Sequence, residues 1–282
     1  MRLVMTLRPE RADTSVPVNY QYLLAGAMYA LLSRSAPEYA AFLHDEGYES
    51  SNGRRLKLFA FSWLWSDRRP VLSDGRLRWY GRPRLRLIVA SPMHETFVRA
   101  VVLGLFRNSR IVLNDVRERA SFSVAEVDVA PPPEWREALA CVARSPLTVS
   151  VQDRETGRIR YLRPDDPRFG EGLAMNLLRK HEIVNGPLHE PLRCLVEPES
   201  AYAETKGGWD KLSRLVTVRE GRPGETRVRG FVFPFVLRCD PPLLQTAWDC
   251  GLGEKNSLGF GMWEESTGRD REKEGEEKNG RS

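Results

Sequence analysis

The stretch Gly251-Leu-Gly-Glu-Lys-Asn-Ser-Leu-Gly-Phe-Gly261 contains four glycines, arranged as two Gly-x-Gly pairs. Glycine allows positive φ angles and lets another molecule approach the backbone closely. A loop of this kind can turn successive N–H groups toward an anion. We therefore predict a phosphate-backbone contact rather than an ordinary glycine-rich turn. The predicted contact residues are Gly251, Gly253, Lys255, Asn256, Ser257, Gly259 and Gly261.

The elements on either side of the loop decide its class. Walker and dinucleotide-binding loops run from a strand, through glycines, into a helix. Here residues 241–250 are predicted as a short helix that begins with proline and is capped by Gly251, and residues 258–263 as a strand. The order is reversed and a Gly-Lys-Ser/Thr ending is absent, so both nucleotide-binding loops are excluded.

Positive charge is concentrated in one part of the chain. The 282 residues carry a formal net charge of +5, but residues 51–120 hold 15 Lys/Arg against 5 Asp/Glu, a local net of +10. A concentrated basic patch favours a polyanion as partner. The alternative is a solvated, arginine-rich surface.

The cysteines and histidines show no metal-binding pattern, because C-x-x-C pairs and histidine ligand spacings are absent. We predict no metal, no other cofactor and no disulfide framework, with buried free thiols instead. No signal peptide opens the chain, and no apolar run approaches the ~20 residues that span a bilayer. A reducing cytoplasm and no membrane contact are expected. The four cysteines are Cys141, Cys194, Cys239 and Cys250.

Residues 1–130 are predicted to follow the order β-α-β-β-α-β, with the first helix broken in two. Tyr29 lies in the first helix segment, His44 in the last turn of the second, and Lys57 on the strand predicted over residues 56–65. A helix C-terminus favours a protonated imidazole. That position suits a histidine that gives up a proton near neutral pH.

A basic hairpin is predicted within the same half, with strands over residues 75–80 and 82–89 joined at Gly81. Its arginines fall on alternate positions, which places them on one face of the sheet. Guanidinium–phosphate pairing uses such a face, and a solvated surface is the equal alternative. The predicted RNA-binding arginines of this hairpin are Arg76, Arg78, Arg82, Arg84 and Arg86.

The second half repeats the element order with an additional hairpin at its start. Residues 131–143 are predicted as a linker that includes a helix over residues 134–142, and residues 144–265 as a second domain ending in the glycine-rich loop. The fold class expected is α+β, with two tandem ferredoxin-like (RRM-like) domains. Residues 266–282 lack large apolar side chains and are predicted to be disordered.

Several motifs resemble the CRISPR-associated repeat-processing endoribonucleases, the sixth Cas family of the RAMP superfamily. The glycine-rich loop through Met262 looks very like that family's C-terminal loop. Both ends of the chain match, whereas residues 120–240 match only in element order. The N-terminal matches are Val16-Pro-Val-Asn-Tyr-Gln-Tyr22, Ala27-Met-Tyr29, Phe42-Leu-His44 ahead of Gly47-Tyr48, and Leu56-Lys57-Leu-Phe-Ala-Phe-Ser62.

The resemblance implies metal-independent cleavage of CRISPR repeat RNA, in which the 2′-hydroxyl attacks the adjacent phosphate. The products would be a 2′,3′-cyclic phosphate and a 5′-hydroxyl. A Tyr–His–Lys triad of some members matches Tyr29, His44 and Lys57. His44 would be the general acid, Tyr29 either a general base or a group that orients the 2′-hydroxyl, and Lys57 a cation for the phosphorane. Arg54 or Arg55 is an alternative to Lys57, because residues 49–55 lengthen the spacing.

Two other functions compete with this reading. One is a catalytically silent RAMP subunit that binds guide RNA within an effector complex. The other is a general single-strand RNA-binding protein of RRM-like fold, which would need an RNP-type aromatic motif that this sequence lacks. CRISPR repeat RNA is the expected partner, and the sequence leaves open a homodimer and contacts with other effector subunits.

Overall fold

The computed structural model describes residues 1–50, 53–153, 155–188 and 190–266. The tail predicted to be disordered lies outside the described residues from position 267 onward. Two hydrophobic cores organise the chain, one built from residues 3–122 and the other from residues 139–263. The α+β class predicted from the sequence is confirmed.

The first half contains eleven strands and three α-helices among its described residues, and a π-helix (His94–Val98) leads into the third α-helix. In chain order they are β1 (Arg2–Pro9), β2 (Asp13–Pro17), α1 (Gln21–Ser35), α2 (Pro37–Asp45), β3 (Tyr48–Glu49), β4 (Arg55–Leu56), β5 (Ala60–Phe61), β6 (Trp65–Ser66), β7 (Val71–Ser73), β8 (Arg76–Tyr80), β9 (Leu85–Ala90), α3 (Arg99–Arg107), β10 (Arg110–Asn114) and β11 (Arg119–Ala130).

The main sheet of this half has the order β10-β11-β1-β9-β5, and all its pairings are antiparallel. Leu3, Met5 and Leu7 alternate along β1 and are buried in one core with apolar residues of the helices, such as Leu24 and Met28. This period of two explains why the segment is a strand with one face toward the helices.

The strand predicted over residues 56–65 is wrong, because the chain forms three short strands there, β4, β5 and β6. Leu58 lies between the first two with φ 48°, in the left-handed region that turns the backbone. Lys57 therefore follows the end of β4 and does not lie within a strand.

The predicted basic hairpin is also wrong. β8 pairs with β2 and β7, whereas β9 pairs with β1, so the two arginine-bearing strands belong to different sheets. β9 carries Leu85, Leu87 and Val89, which are all nearly fully buried. We attribute the difference to this apolar face, which the main sheet's core requires and a free hairpin would expose.

Most arginines of the predicted hairpin have protein partners. Arg76 is 9% exposed, and its Nη1 lies 2.6 Å from Asp115 Oδ2, while its Nη2 lies 3.3 Å from Glu118 Oε2. Arg78 pairs with Asp13 and Arg86 with Glu264. The remaining two, Arg82 and Arg84, are exposed.

The second half contains eight strands and four helices among its described residues. In chain order they are β12 (Leu139–Ala143), β13 (Ser150–Gln152), β14 (Ile159–Tyr161), α4 (Arg168–Asn185), β15 (Cys194–Pro198), α5 (Ser200–Thr205), α6 (Trp209–Leu212), β16 (Ser213–Val218), β17 (Thr226–Phe231), β18 (Pro234–Cys239), α7 (Pro241–Cys250) and β19 (Trp263–Glu265).

The second sheet has the order β15-β18-β12-β19, again antiparallel throughout. The predicted helix over residues 134–142 is wrong, and the segment 131–143 is not only a linker, because it contains the central strand β12. Leu139, Cys141 and Ala143 alternate along β12 and are buried. The last strand begins at residue 263 rather than 258, since residues 256–258 form a 3-10 turn.

One pair of cysteines corrects the prediction of free thiols. Cys194 and Cys239 form a disulfide between β15 and β18, where they are directly opposite in the antiparallel register. They are 45 positions apart in the sequence, so only the strand pairing brings them together. Cys141 and Cys250 are buried and free, as predicted.

The two halves are joined by buried polar contacts. Arg2 is fully buried, donates from Nε to the Trp248 carbonyl at 2.6 Å, and places its guanidinium 3.5 Å from the centroid of that indole. Arg86 binds Glu264 through two hydrogen bonds of 2.7 and 2.6 Å.

None of the described helices has the length and apolar character that crossing a membrane requires.

Candidate active site and RNA-binding cleft

Tyr29 in the middle of α1, His44 in the last turn of α2 and Lys57 after β4 lie close together. The rings of Tyr29 and His44 are 5.6 Å apart between centroids and meet edge to face. Lys57 donates a 2.8 Å hydrogen bond from Nζ to the backbone carbonyl of His44. Three residues predicted from separate segments therefore converge on one site.

The turn after α2 positions the lysine. Gly47 adopts φ 72°, and a Cβ at this residue would lie 2.8 Å from the Leu56 carbonyl oxygen. Tyr48 pairs with Leu56 across β3 and β4, so the segment between them folds back as a hairpin. The longer spacing between His44 and Lys57 is absorbed by this hairpin, which returns Lys57 to the histidine.

Burial tunes two members of this group. Desolvation raises the pKa of Tyr29 to about 12, so its phenol stays protonated at neutral pH. Desolvation also lowers the pKa of Lys57, although Asp45 opposes this effect. The imidazole of His44 is largely exposed, and its Nδ1 lies 2.7 Å from Asp45 Oδ1. The protonated phenol of Tyr29 can donate a hydrogen bond.

The glycine-rich loop lies between the two halves of the molecule. A Cβ at Gly259 would lie 2.7 Å from the Phe61 ring, and one at Gly253 would lie 2.5 Å from the Thr148 carbonyl oxygen. Both glycines have positive φ. The loop therefore requires glycine because it packs against the first half on one side and the second half on the other.

A buried ammonium group holds this loop in shape. Lys180, on α4, is 3% exposed and donates from Nζ to the carbonyls of Gly251 and Gly253 at 3.0 and 2.8 Å. It also donates to Asn256 Oδ1 at 2.7 Å, while Asn256 Nδ2 donates to the carbonyls of Leu252 and Phe260. Desolvation lowers the pKa of Lys180 to about 8.

Three of the four loop glycines do not offer their N–H groups to an anion as predicted. All four glycines are buried, and the N–H groups of Gly251, Gly259 and Gly261 donate to the protein's own carbonyls. The side-chain amide of Asn256 also donates to two loop carbonyls. Lys255 is exposed and Ser257 half-buried, so these two loop residues are left facing solvent.

A cleft of about 530 Å³ extends from the loop to Lys57. Its walls come from the β3–β4 hairpin, the β13–β14 hairpin, α4 and the loop, and Lys57 lies on its lining. Six predicted RNA-binding residues also line it, whereas none of the five hairpin arginines does; the six are Arg54, Arg55, Gly253, Lys255, Asn256 and Ser257. The cations along the cleft are Arg54, Arg55, Lys57, Arg179, Lys180 and Lys255.

Sequence reasoning missed the contribution of α4. Asn176, Arg179 and Lys180 line the cleft at positions i, i+3 and i+4, which share one face of a helix. That spacing was visible in the sequence, but it did not indicate that this face is buried. His181, on the same helix, bonds Thr246 through Nδ1 at 2.8 Å and does not line the cleft. Within the described residues, no three His, Cys, Asp or Glu side chains form a potential metal site.

Two family models match the chain. The one described as "CRISPR-associated protein Cas6, N-terminal" matches residues 15–128, and "CRISPR associated protein Cas6, C-terminal" matches residues 130–265. The chain belongs to the Cas6 family. The resemblance noted in the sequence is thereby confirmed, and the chain is a CRISPR-associated repeat-processing protein by family.

Curated relatives cover nearly the whole chain. "CRISPR-associated endoribonuclease Cas6 1" of Methanocaldococcus jannaschii is 26% identical over 268 residues, which are 93% of this chain and 91% of that protein. "CRISPR-associated endoribonuclease Cas6" of Pyrococcus furiosus is also 26% identical, over 93% of this chain and 89% of its own length. The similarity therefore spans both halves of this Cas6 chain.

Solved structures share the fold. A structure described as characterising a Cas6-related gene from Pyrococcus furiosus superposes with a TM-score of 0.72 at 18% identity, covering 95% of this chain and 99% of that one. A structure described as "CRISPR associated protein Cas6" has a TM-score of 0.69 at 25% identity, with the same coverage.

Replacing Lys180 by methionine should destabilise this Cas6 protein, because three buried acceptors lose one charged donor. We expect the free energy of unfolding to fall by about 3 kcal/mol. Urea unfolding followed by circular dichroism measures it. The matched control is Arg179→Met at the preceding residue, which makes none of the hydrogen bonds to the loop carbonyls that the described structure shows for Lys180. Equal stability of the two variants would contradict the assigned role of Lys180.

Proposed function

We propose that this Cas6 protein cleaves CRISPR repeat RNA in the precursor transcript without a metal ion, giving mature guide RNAs. The observation that carries the proposal is the convergence of Tyr29, His44 and Lys57 at the edge of a cationic cleft. Two relatives that are 26% identical to this chain are named endoribonucleases, which supports the same activity.

The reaction assigns one role to each side chain. The 2′-oxygen attacks the phosphorus and releases its proton to solvent, while the P–O5′ bond breaks and His44 protonates the leaving 5′-oxygen. Tyr29 donates a hydrogen bond that orients the attacking group, because a phenol with a pKa of about 12 is a poor base. Lys57 stabilises the charge of the phosphorane. The products are a 2′,3′-cyclic phosphate and a 5′-hydroxyl.

The cleft provides the path for the RNA. Its exposed and half-buried cations on both walls can neutralise successive phosphates, and Arg54, Arg55 and Lys255 are placed to do so. Arg54 and Arg55 supplement Lys57 in this arrangement and do not replace it, because Lys57 is the residue that contacts His44.

The strand order in each half of the chain supports the predicted ferredoxin-like fold. The strand orders β11-β1-β9-β5 and β15-β18-β12-β19 both place the first and third strands at the centre, with two helical connections. We infer two tandem ferredoxin-like domains with a boundary near residue 130, and a cytoplasmic location. A homodimer and contacts with other effector subunits remain hypotheses from the family resemblance.

Substituting His44 by alanine tests the proposed chemistry. The cleavage rate should fall by about 10²- to 10⁴-fold, because the leaving oxygen loses its proton donor, while RNA affinity stays nearly unchanged. Single-turnover cleavage and equilibrium binding of repeat RNA measure the two quantities. The control is His94→Ala, at a partly exposed histidine that does not line the cleft.

The outcomes separate the alternatives. Equal loss of binding and cleavage in the His44 variant would contradict the role of general acid. If wild type and variant both bind the RNA and neither cuts it, the protein is a silent RAMP subunit.

Lys255 and Arg76 form a matched pair for the RNA contact. Lys255→Met should weaken RNA binding and reduce the slope of log affinity against log salt by about 0.7. Arg76→Met should leave RNA binding unchanged and lower the free energy of unfolding by about 3 kcal/mol, because Asp115 loses its buried partner. A smaller slope of log affinity against log salt in the Arg76 variant would instead indicate that Arg76 contacts the RNA.

A further inference from the structure

The side chain of Asn176 lines the cleft and carries a buried oxygen, Oδ1, that has no hydrogen-bond partner among the described residues. It lies on α4 and is 8% exposed. Buried polar atoms of folded proteins are nearly always paired, since an unmade hydrogen bond is costly. An unpaired amide oxygen at a cleft therefore points to a group that the ligand supplies.

The surroundings of Asn176 match a nucleotide better than a simple anion. Arg179, one turn further along the helix, is half-buried on the same cleft lining and forms no ion pair within the described parts of the chain. Ile159 of β14, which is 61% exposed, also lines the cleft. A guanidinium can bind a phosphate, and an exposed branched side chain can cover the face of a base.

The side-chain amide of Asn176 further restricts the class of ligand that can bind. A side-chain amide offers one acceptor and two donors in a plane, which is the arrangement that binds the edge of a nucleobase through two hydrogen bonds. Sequence-specific recognition of RNA uses unpaired bases whose edges are free for such contacts. Rotation of the amide about χ2 exchanges its oxygen and nitrogen positions and can turn the acceptor toward the cleft.

We propose that Asn176 reads the edge of one unpaired nucleobase of RNA held in the cleft, between Arg179 and Ile159. The proposal rests on the proposed function, because it requires RNA in the cleft. It adds a specificity-determining residue on the second half of the chain, opposite the catalytic group on the first half.

The test uses repeat RNAs in which one base at a time is removed to give an abasic site. For the wild type, we expect affinity to fall about tenfold at one position close to the cut. Asn176→Ala should bind intact RNA about tenfold more weakly, and lose no further affinity when that same base is removed. Such non-additivity assigns the base to the side chain.

A control variant on the same helix separates this role from a general disturbance. Asn185→Ala removes an amide that contacts His181 and does not line the cleft, so it should keep the wild-type abasic profile. Asn176→Ala should keep the wild-type melting temperature, because Oδ1 has no protein partner to lose. A large fall in its melting temperature would assign Asn176 to packing and overturn the proposal.

The result also distinguishes this proposal from the proposed function. If the wild type cleaves repeat RNA and the Asn176 variant shows the wild-type abasic profile, base reading is overturned while cleavage stands. If the wild type neither binds nor cleaves the RNA, both are overturned.

Discussion

The hydrogen bonds from the buried ammonium of Lys180 to the glycine-rich loop are the interaction on which the rest of the structure depends. One charged group binds the carbonyls of Gly251 and Gly253 and the amide oxygen of Asn256. A buried cation is costly unless such acceptors surround it. The loop shape fixed in this way fits between Phe61 of the first half and Thr148 of the second.

The position of the loop determines where the chemistry can occur. With the halves held around it, a cationic cleft runs between α4 and Lys57, whose ammonium group binds the backbone carbonyl of His44. The loop is thus mainly an internal connector with one exposed cation, Lys255. This explains why its glycines are needed although they are buried, and it leaves the proposed RNA contacts to the side chains around them.

The sequence pattern predicted individual helices better than it predicted which strands and side chains contact each other. The helices that carry Tyr29 and His44 follow from apolar spacing and the proline at the start of α2, and the family resemblance brought Lys57 to them. Strand pairing could not be predicted, because a buried apolar face does not specify its neighbour, and so β8 and β9 were wrongly joined. The burial of Arg76 and Lys180 was missed for the same reason, since their acceptors come from distant segments.

The most direct test of the account is the cleavage of two repeat RNAs by the wild-type protein in EDTA. One RNA is unmodified, and the other carries a single 2′-deoxynucleotide at the cut position. The account predicts that the unmodified RNA is cut to a 2′,3′-cyclic phosphate and a 5′-hydroxyl, and that the deoxy RNA is bound but not cut. Cleavage of the deoxy RNA at the same position would contradict it, because the 2′-oxygen would then not be the nucleophile.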